Sequence, residues 1–133
     1  MKLNPIALVE VIFSFVKFYT DVILDDFESK PSSFSVGVYL RSMHLGGIKT
    51  KLGPYGLQSF GQRLSFDLKE APSNDWSVTQ ELKTENCDPS WIAFILLREI
   101  YLWFGLEENK IPYTKLENGV RVVDPEQIKK PKQ

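Results

Sequence analysis

At 133 residues, 43% apolar and 25% charged, the chain has the composition of a single globular domain, large enough to build a core without disulfides or metal. That argues against wholesale disorder, and the lone cysteine, Cys87, argues against a disulfide scaffold or a cysteine-based metal site and for a reducing, cytoplasmic setting. The net charge of −1 is unevenly spread: residues 30–66 carry five basic and no acidic side chains, against two and five in residues 1–29 and three and seven in residues 67–99.

Asn4-Pro5 is a helix start, an N-cap residue followed by proline at the first helical position. From there to about Phe27, Glu10, Ser14, Lys17, Asp21 and Asp25 recur in steps of three or four, so the polar residues occupy one narrow stripe and the rest of the circumference is apolar. Glu10, Lys17 and Asp21 fall inside the roughly 20 residues a membrane span needs, so no span is expected. Glu10 also interrupts the opening apolar run, and no small-residue cleavage site follows it, so no leader is expected. A helix this apolar either is buried on most sides or keeps a face for a partner or a second copy.

Phe34 to Leu40 alternates Phe34, Val36, Val38 and Leu40 against Ser35, Gly37 and Tyr39, the pattern of a half-buried strand. Gly46-Gly47 predicts a two-residue hairpin with Leu45 opposite Ile48 and His44 opposite Lys49. That register conflicts with the preceding strand unless the backbone bulges or twists near residues 41–43. Arg63–Lys69 and Asp75–Lys83 alternate in the same way, and are expected to pair with Leu68 on Trp76, Phe66 on Val78, Lys69 on Asp75, Ser65 on Thr79 and Arg63 on Glu81. Asp88-Pro89 opens a second, almost wholly apolar helix, Trp91 to Phe104, which Gly105 ends. Asn118-Gly119 joins Tyr113–Glu117 to Val120–Val123 as a hairpin. The expectation is one α+β domain over residues 1–124, an antiparallel sheet packed by two strongly apolar helices in the order α-β-β-β-α-β with a small C-terminal hairpin, and a basic tail at 125–133.

The stretch 44–63 holds five of the eight glycines, but it is not a P-loop. Ile48 separates Gly47 from Lys49, Ser42 stands where an earlier glycine is required, and Gly53-Pro54 forbids the following helix. A looser anion site would use Arg41, His44, Lys49 and Lys51, and single-stranded nucleic acid could stack on Tyr39, Tyr55 and Phe60. Asp67 followed by Glu81-Leu82-Lys83 resembles the arrangement with which restriction-type nucleases hold a divalent metal such as Mg²⁺ and set a lysine beside the attacking water, with Glu10 available on the first helix. Nucleophilic catalysis has little to draw on, because His44 is the only histidine and Gly56 to Gly61 is one residue too long for a serine elbow. Cys87 before a helix start is a candidate for a lowered thiol pKa, although a structural role fits it better. Asp25, Asp26 and Glu28, at the end of the first helix, could meet a cation or basic partner.

The helix, three strands, helix order is similar to that of restriction-type nucleases and of phage tail-completion proteins that assemble as rings. This analogy of order transfers no function. The leading expectation is a non-enzymatic binding or assembly module without a cofactor, contacting a protein partner or its own copy through the apolar helix face and the basic glycine-rich loop. The alternative is a nucleic-acid-binding protein, extending to a metal-dependent nuclease.

Overall fold

The computed structural model describes residues 2–25, 31–53 and 68–129. Its helices are α1 (Pro5–Asp25), α2 (Pro89–Phe104) and the short α3 (Pro125–Lys129). Its strands are β1 (Ser33–Leu40), β2 (His44–Leu45), β3 (Ile48–Lys49), β4 (Lys51–Leu52), β5 (Lys69–Glu70), β6 (Trp76–Lys83), β7 (Thr114–Glu117) and β8 (Val120–Val123). The class is mixed α+β, with the antiparallel pairing divided among four two-stranded ladders in the described residues.

Both long helices begin where their caps place them. Asn4 Oδ1 accepts from the N–H groups of Ile6 at 2.9 Å and Ala7 at 3.2 Å, and Asp88 Oδ1 accepts from that of Ser90 at 3.1 Å, with proline next in each case. α2 ends in a Schellman motif: Gly105, at φ 88°, donates to Leu102 O, and Leu106 N–H reaches back to Tyr101 O at 2.8 Å. Leu106 then buries its side chain, closing the helix end against the core.

The core is built around α2. Ile92, Ala93, Leu97, Ile100 and Tyr101 are fully buried there, together with Val9 of α1, Leu52 of β4 and Val123 of β8. Val9, Phe13, Val16 and Thr20 are the buried stripe of α1, at steps of four, three and four. Trp103 of α2 stacks on Trp76 of β6 with ring centroids 5.5 Å apart, tying the helix to the longest ladder.

That ladder joins two strands not expected as partners, and among the described residues the expected pair of Lys69 with Asp75 is replaced. β6 lies antiparallel to β1, with Phe34 opposite Leu82, Val38 opposite Val78 and Leu40 opposite Trp76. Lys69, expected opposite Asp75, pairs with Leu52, and Glu70 pairs with Lys51. β1 and β6 are both eight residues long and carry matching alternation, so pairing them aligns two long apolar stripes. Phe66, Ser65 and Arg63, the other members of the expected pairing, lie outside the described residues.

The Gly46-Gly47 hairpin forms in the expected register, His44 with Lys49 and Leu45 with Ile48, with both glycines at positive φ as a type I′ turn requires. The conflict with β1 is resolved at Ser42, which adopts φ 60° and reverses the facing of the chain so that Met43 enters the core. The Asn118-Gly119 hairpin also forms, with its first strand beginning at Thr114 because Tyr113 sits at φ 61°. Residues 125–129, expected as part of the tail, are instead helical. Asp124 Oδ1 accepts from Glu126 N–H at 3.1 Å, Pro125 follows the cap, and Ile128 packs against the core.

Candidate functional site

α1 carries more apolar surface than the core uses. With about 100° per residue, the buried stripe and the polar stripe lie roughly 120° apart, leaving a third arc that is neither. On that arc Val11 is 65% exposed, Phe15 51%, Phe18 62% and Tyr19 51%. Three of these rings form one cluster, Tyr19 lying 4.7 Å from Phe15 and 5.2 Å from Phe18 between centroids, the second pair edge-to-face. Contiguous exposed aromatic surface of this kind marks an interaction site more often than scattered apolar residues do.

The ridge runs into a depression between α1 and β1. One cleft of about 200 Å³ is lined by Phe15, Tyr19 and Ile23 from the helix and by Phe34 and Gly37 from the strand. A second, of about 190 Å³, continues it past Val11, Ile12 and Val38. Thr20 lies in the floor of the first, its hydroxyl donating to Lys17 O at 3.1 Å, so it brings no unpartnered polar group into the apolar lining. The charges of α1 stand aside from the ridge, Lys17 and Asp21 pairing with each other at 2.9 Å with both side chains half exposed.

The expected anion site is distributed over three settings. The hairpin brings His44 and Lys49 opposite one another. Arg41 lies over the Tyr39 ring, 4.5 Å from its centroid, so Tyr39, expected as a stacking residue, already has one face covered. Lys51 sits opposite Glu70 on a different ladder. His44 is tied down structurally: its Nε2 donates to Ala71 O at 2.5 Å, while its backbone N–H donates to Asn74 Oδ1 at 3.0 Å. Arg41, Lys49 and Lys51 are exposed, and Tyr55 and Phe60 lie outside the described residues.

Of the nuclease candidates, Asp67 lies outside the described residues. Glu81 and Lys83 project from the exposed face of β6, opposite Ser35 and Ser33. Among the described residues no group of three or more His, Cys, Asp or Glu side chains could hold a metal ion. Of the carboxylates at the end of α1, Asp25 is exposed, and Asp26 and Glu28 lie outside the described residues. The thiol of Cys87 has its pKa raised, first by burial and then by the charges of Asp21 and Asp88. Burial, with two nearby carboxylates behind it, outweighs any lowering by the α2 start. No described helix is long and apolar enough to cross a membrane.

The exposed arc is the feature that sequence reasoning placed least well. The surplus of apolar residues on α1 is visible in the sequence, but which of them face out depends on where α2 and β1 lie. No protein-family model matches the chain, and no curated protein or solved structure is significantly similar to it.

Proposed function

We propose that the chain is a non-enzymatic binding or assembly module that contacts another polypeptide through the outward apolar ridge of α1 and the cleft beside it. The supporting observation is the ridge itself, Val11, Phe15, Phe18 and Tyr19, each about half exposed or more on one arc of a helix whose opposite arc is core. Covering the exposed half of each large side chain would contribute on the order of 1 kcal/mol, half of the figure for full burial. A few such anchors carry much of the energy of an interface. The exposed cations Arg41, Lys49 and Lys51 supply a second contact suited to acidic groups on the partner, acting more on association rate than on affinity. The lone, unpaired cysteine suits a module working in a reducing compartment such as the cytoplasm.

Light scattering coupled to size exclusion tests this reading. The wild-type chain is expected to run as an oligomer or a stable complex, and Phe15→Ser/Tyr19→Ser as a single chain with an unchanged circular-dichroism spectrum. A clean wild-type monomer that binds DNA in a salt-sensitive way would overturn it.

A further inference from the structure

The binding reading leaves the partner open, and β1 narrows it. One edge of β1 is paired with β6, and among the described residues no ladder occupies the other. The cleft beside α1 is lined by four successive β1 residues, Phe34, Ser35, Val36 and Gly37. Successive residues point to opposite faces of a strand, so a depression that meets all four faces its edge, where backbone N–H and C=O groups are offered for pairing. From Ser33 to Leu40 there is no charge and no proline, the usual devices that keep an edge from pairing.

The residues of β1 are arranged nearly symmetrically about Gly37: Val36 and Val38 flank it, Ser35 and Tyr39 come next, then Phe34 and Leu40. Resting on the module reading above, we infer that the occupant of this edge is the β1 of a second copy of the chain, antiparallel, with Gly37 on the two-fold axis. In that register Val36 faces Val38, Ser35 faces Tyr39 and Phe34 faces Leu40, so the core-side residues meet core-side residues and the outward residues meet outward ones. A shift by one residue would set Phe34 against Tyr39 and break that match.

The two-fold axis stands perpendicular to the continued four-stranded sheet, so both α1 helices lie on the same face of it. That arrangement brings the two ridges to the same side of the new interface. At about 150–250 Å² for an aromatic side chain, the exposed parts of Val11, Phe15, Phe18 and Tyr19 amount to on the order of 400 Å² per copy, about half of the ~800 Å² per partner of a standard interface. The β1 edge and the cleft walls supply the remainder. The contact is uncharged, as a surface that meets its own copy must be if like charges are not to face each other.

Cysteine placement reads the register directly. A Cβ at Gly37 meets Thr79 Oγ1 and Val78 O at 3.4 Å, ordinary contact, so Gly37→Cys is compatible with the fold. Facing antiparallel residues lie about 4.5–5.5 Å apart between Cα atoms, within the span of a disulfide, whereas two copies of residue 35 would be roughly 13 Å apart along the strands. In a Cys87→Ser background, oxidised Gly37→Cys is expected to form a covalent dimer in near-complete yield, and Ser35→Cys at least ten-fold less. The unmodified chain is expected to scatter light as two copies. A wild-type monomer at about 100 μM overturns the second-copy inference and leaves the module reading to a different partner. A dimer that is lost in Phe15→Ser/Tyr19→Ser but gives no Gly37→Cys bridge overturns the β1 pairing alone. Equal bridging by both cysteine variants also overturns it.

Discussion

α1 and α2 are both strongly apolar helices, begun by the same Asn/Asp-Pro device, yet they end in opposite environments. α2 is enclosed by α1, β6 and β8, and its residues 92–97 are buried without interruption. α1 buries Val9, Phe13, Val16 and Thr20, packs Leu8 and Ile12 against the core in part, and leaves an aromatic ridge outside. Apolar composition therefore does not decide burial. What decides it is how many neighbours surround the helix, and a two-layer arrangement with short strands has only enough partners to surround one.

The contrast predicts unequal responses to mutation, measured by urea or thermal unfolding of dilute protein. The largest belongs to α2: Ile100 is fully buried, so Ile100→Ala should cost about 2–5 kcal/mol through lost contact and the cavity left behind. A loss below about 1 kcal/mol would show that α2 is less enclosed than described.

Next come the caps, which should cost the two helices similar amounts because capping is local. Asp88→Ala and Asn4→Ala should each lose about 1 kcal/mol, visible as a lower unfolding midpoint. A cap loss at Asn4 without effect on global stability would mean that α1 frays independently of α2.

Tyr101 is a flaw within the buried helix. Its ring is fully buried and its hydroxyl has no hydrogen-bond partner among the described residues. Tyr101→Phe removes that unsatisfied group and should stabilise by about 1 kcal/mol. Burial also raises the Tyr101 pKa far above its ordinary value of about 10. The unfolded chain ionises first, so the wild type loses nothing to this ionisation below about pH 10 and loses stability as pH rises from there toward the folded-state value. The advantage of Tyr101→Phe should therefore widen above pH 10. A constant difference across that range would contradict the burial of the phenol.

The smallest effect belongs to the ridge. In dilute, single-chain protein Phe18→Ser should change stability by less than about 0.5 kcal/mol, as exposed positions do. A loss of 2 kcal/mol or more would place Phe18 in the core and remove the ridge.

Local features of the fold were legible in the sequence because their causes are local. Asn4-Pro5, Asp88-Pro89, Gly105, Gly46-Gly47 and Asn118-Gly119 each act within a few residues, and each does so here. Asp124-Pro125 carries the same signature, obscured by the lysines and proline that follow, and it caps α3. Non-local pairing was less legible. Alternation in Trp76–Lys83 tells which residues share a face but not which strand lies alongside, and β1 satisfies the same parity as residues 63–69. The register conflict at Ser42 was legible as a conflict, while its resolution by a positive φ is a matter of three-dimensional geometry. The candidate site shows the same division: surplus apolar surface on α1 follows from counting, but the exposed arc follows only from where the neighbours sit.

The role of the α1 ridge is tested most directly by aromatic-ring NMR across a dilution series of the wild-type chain. The resonances of Phe15, Phe18 and Tyr19 should shift together with concentration while those of Tyr101 and Phe104, sealed in α2, stay fixed. Ridge resonances unchanged over two decades of concentration, or moving no more than those of the core rings, would contradict a second copy seated on α1.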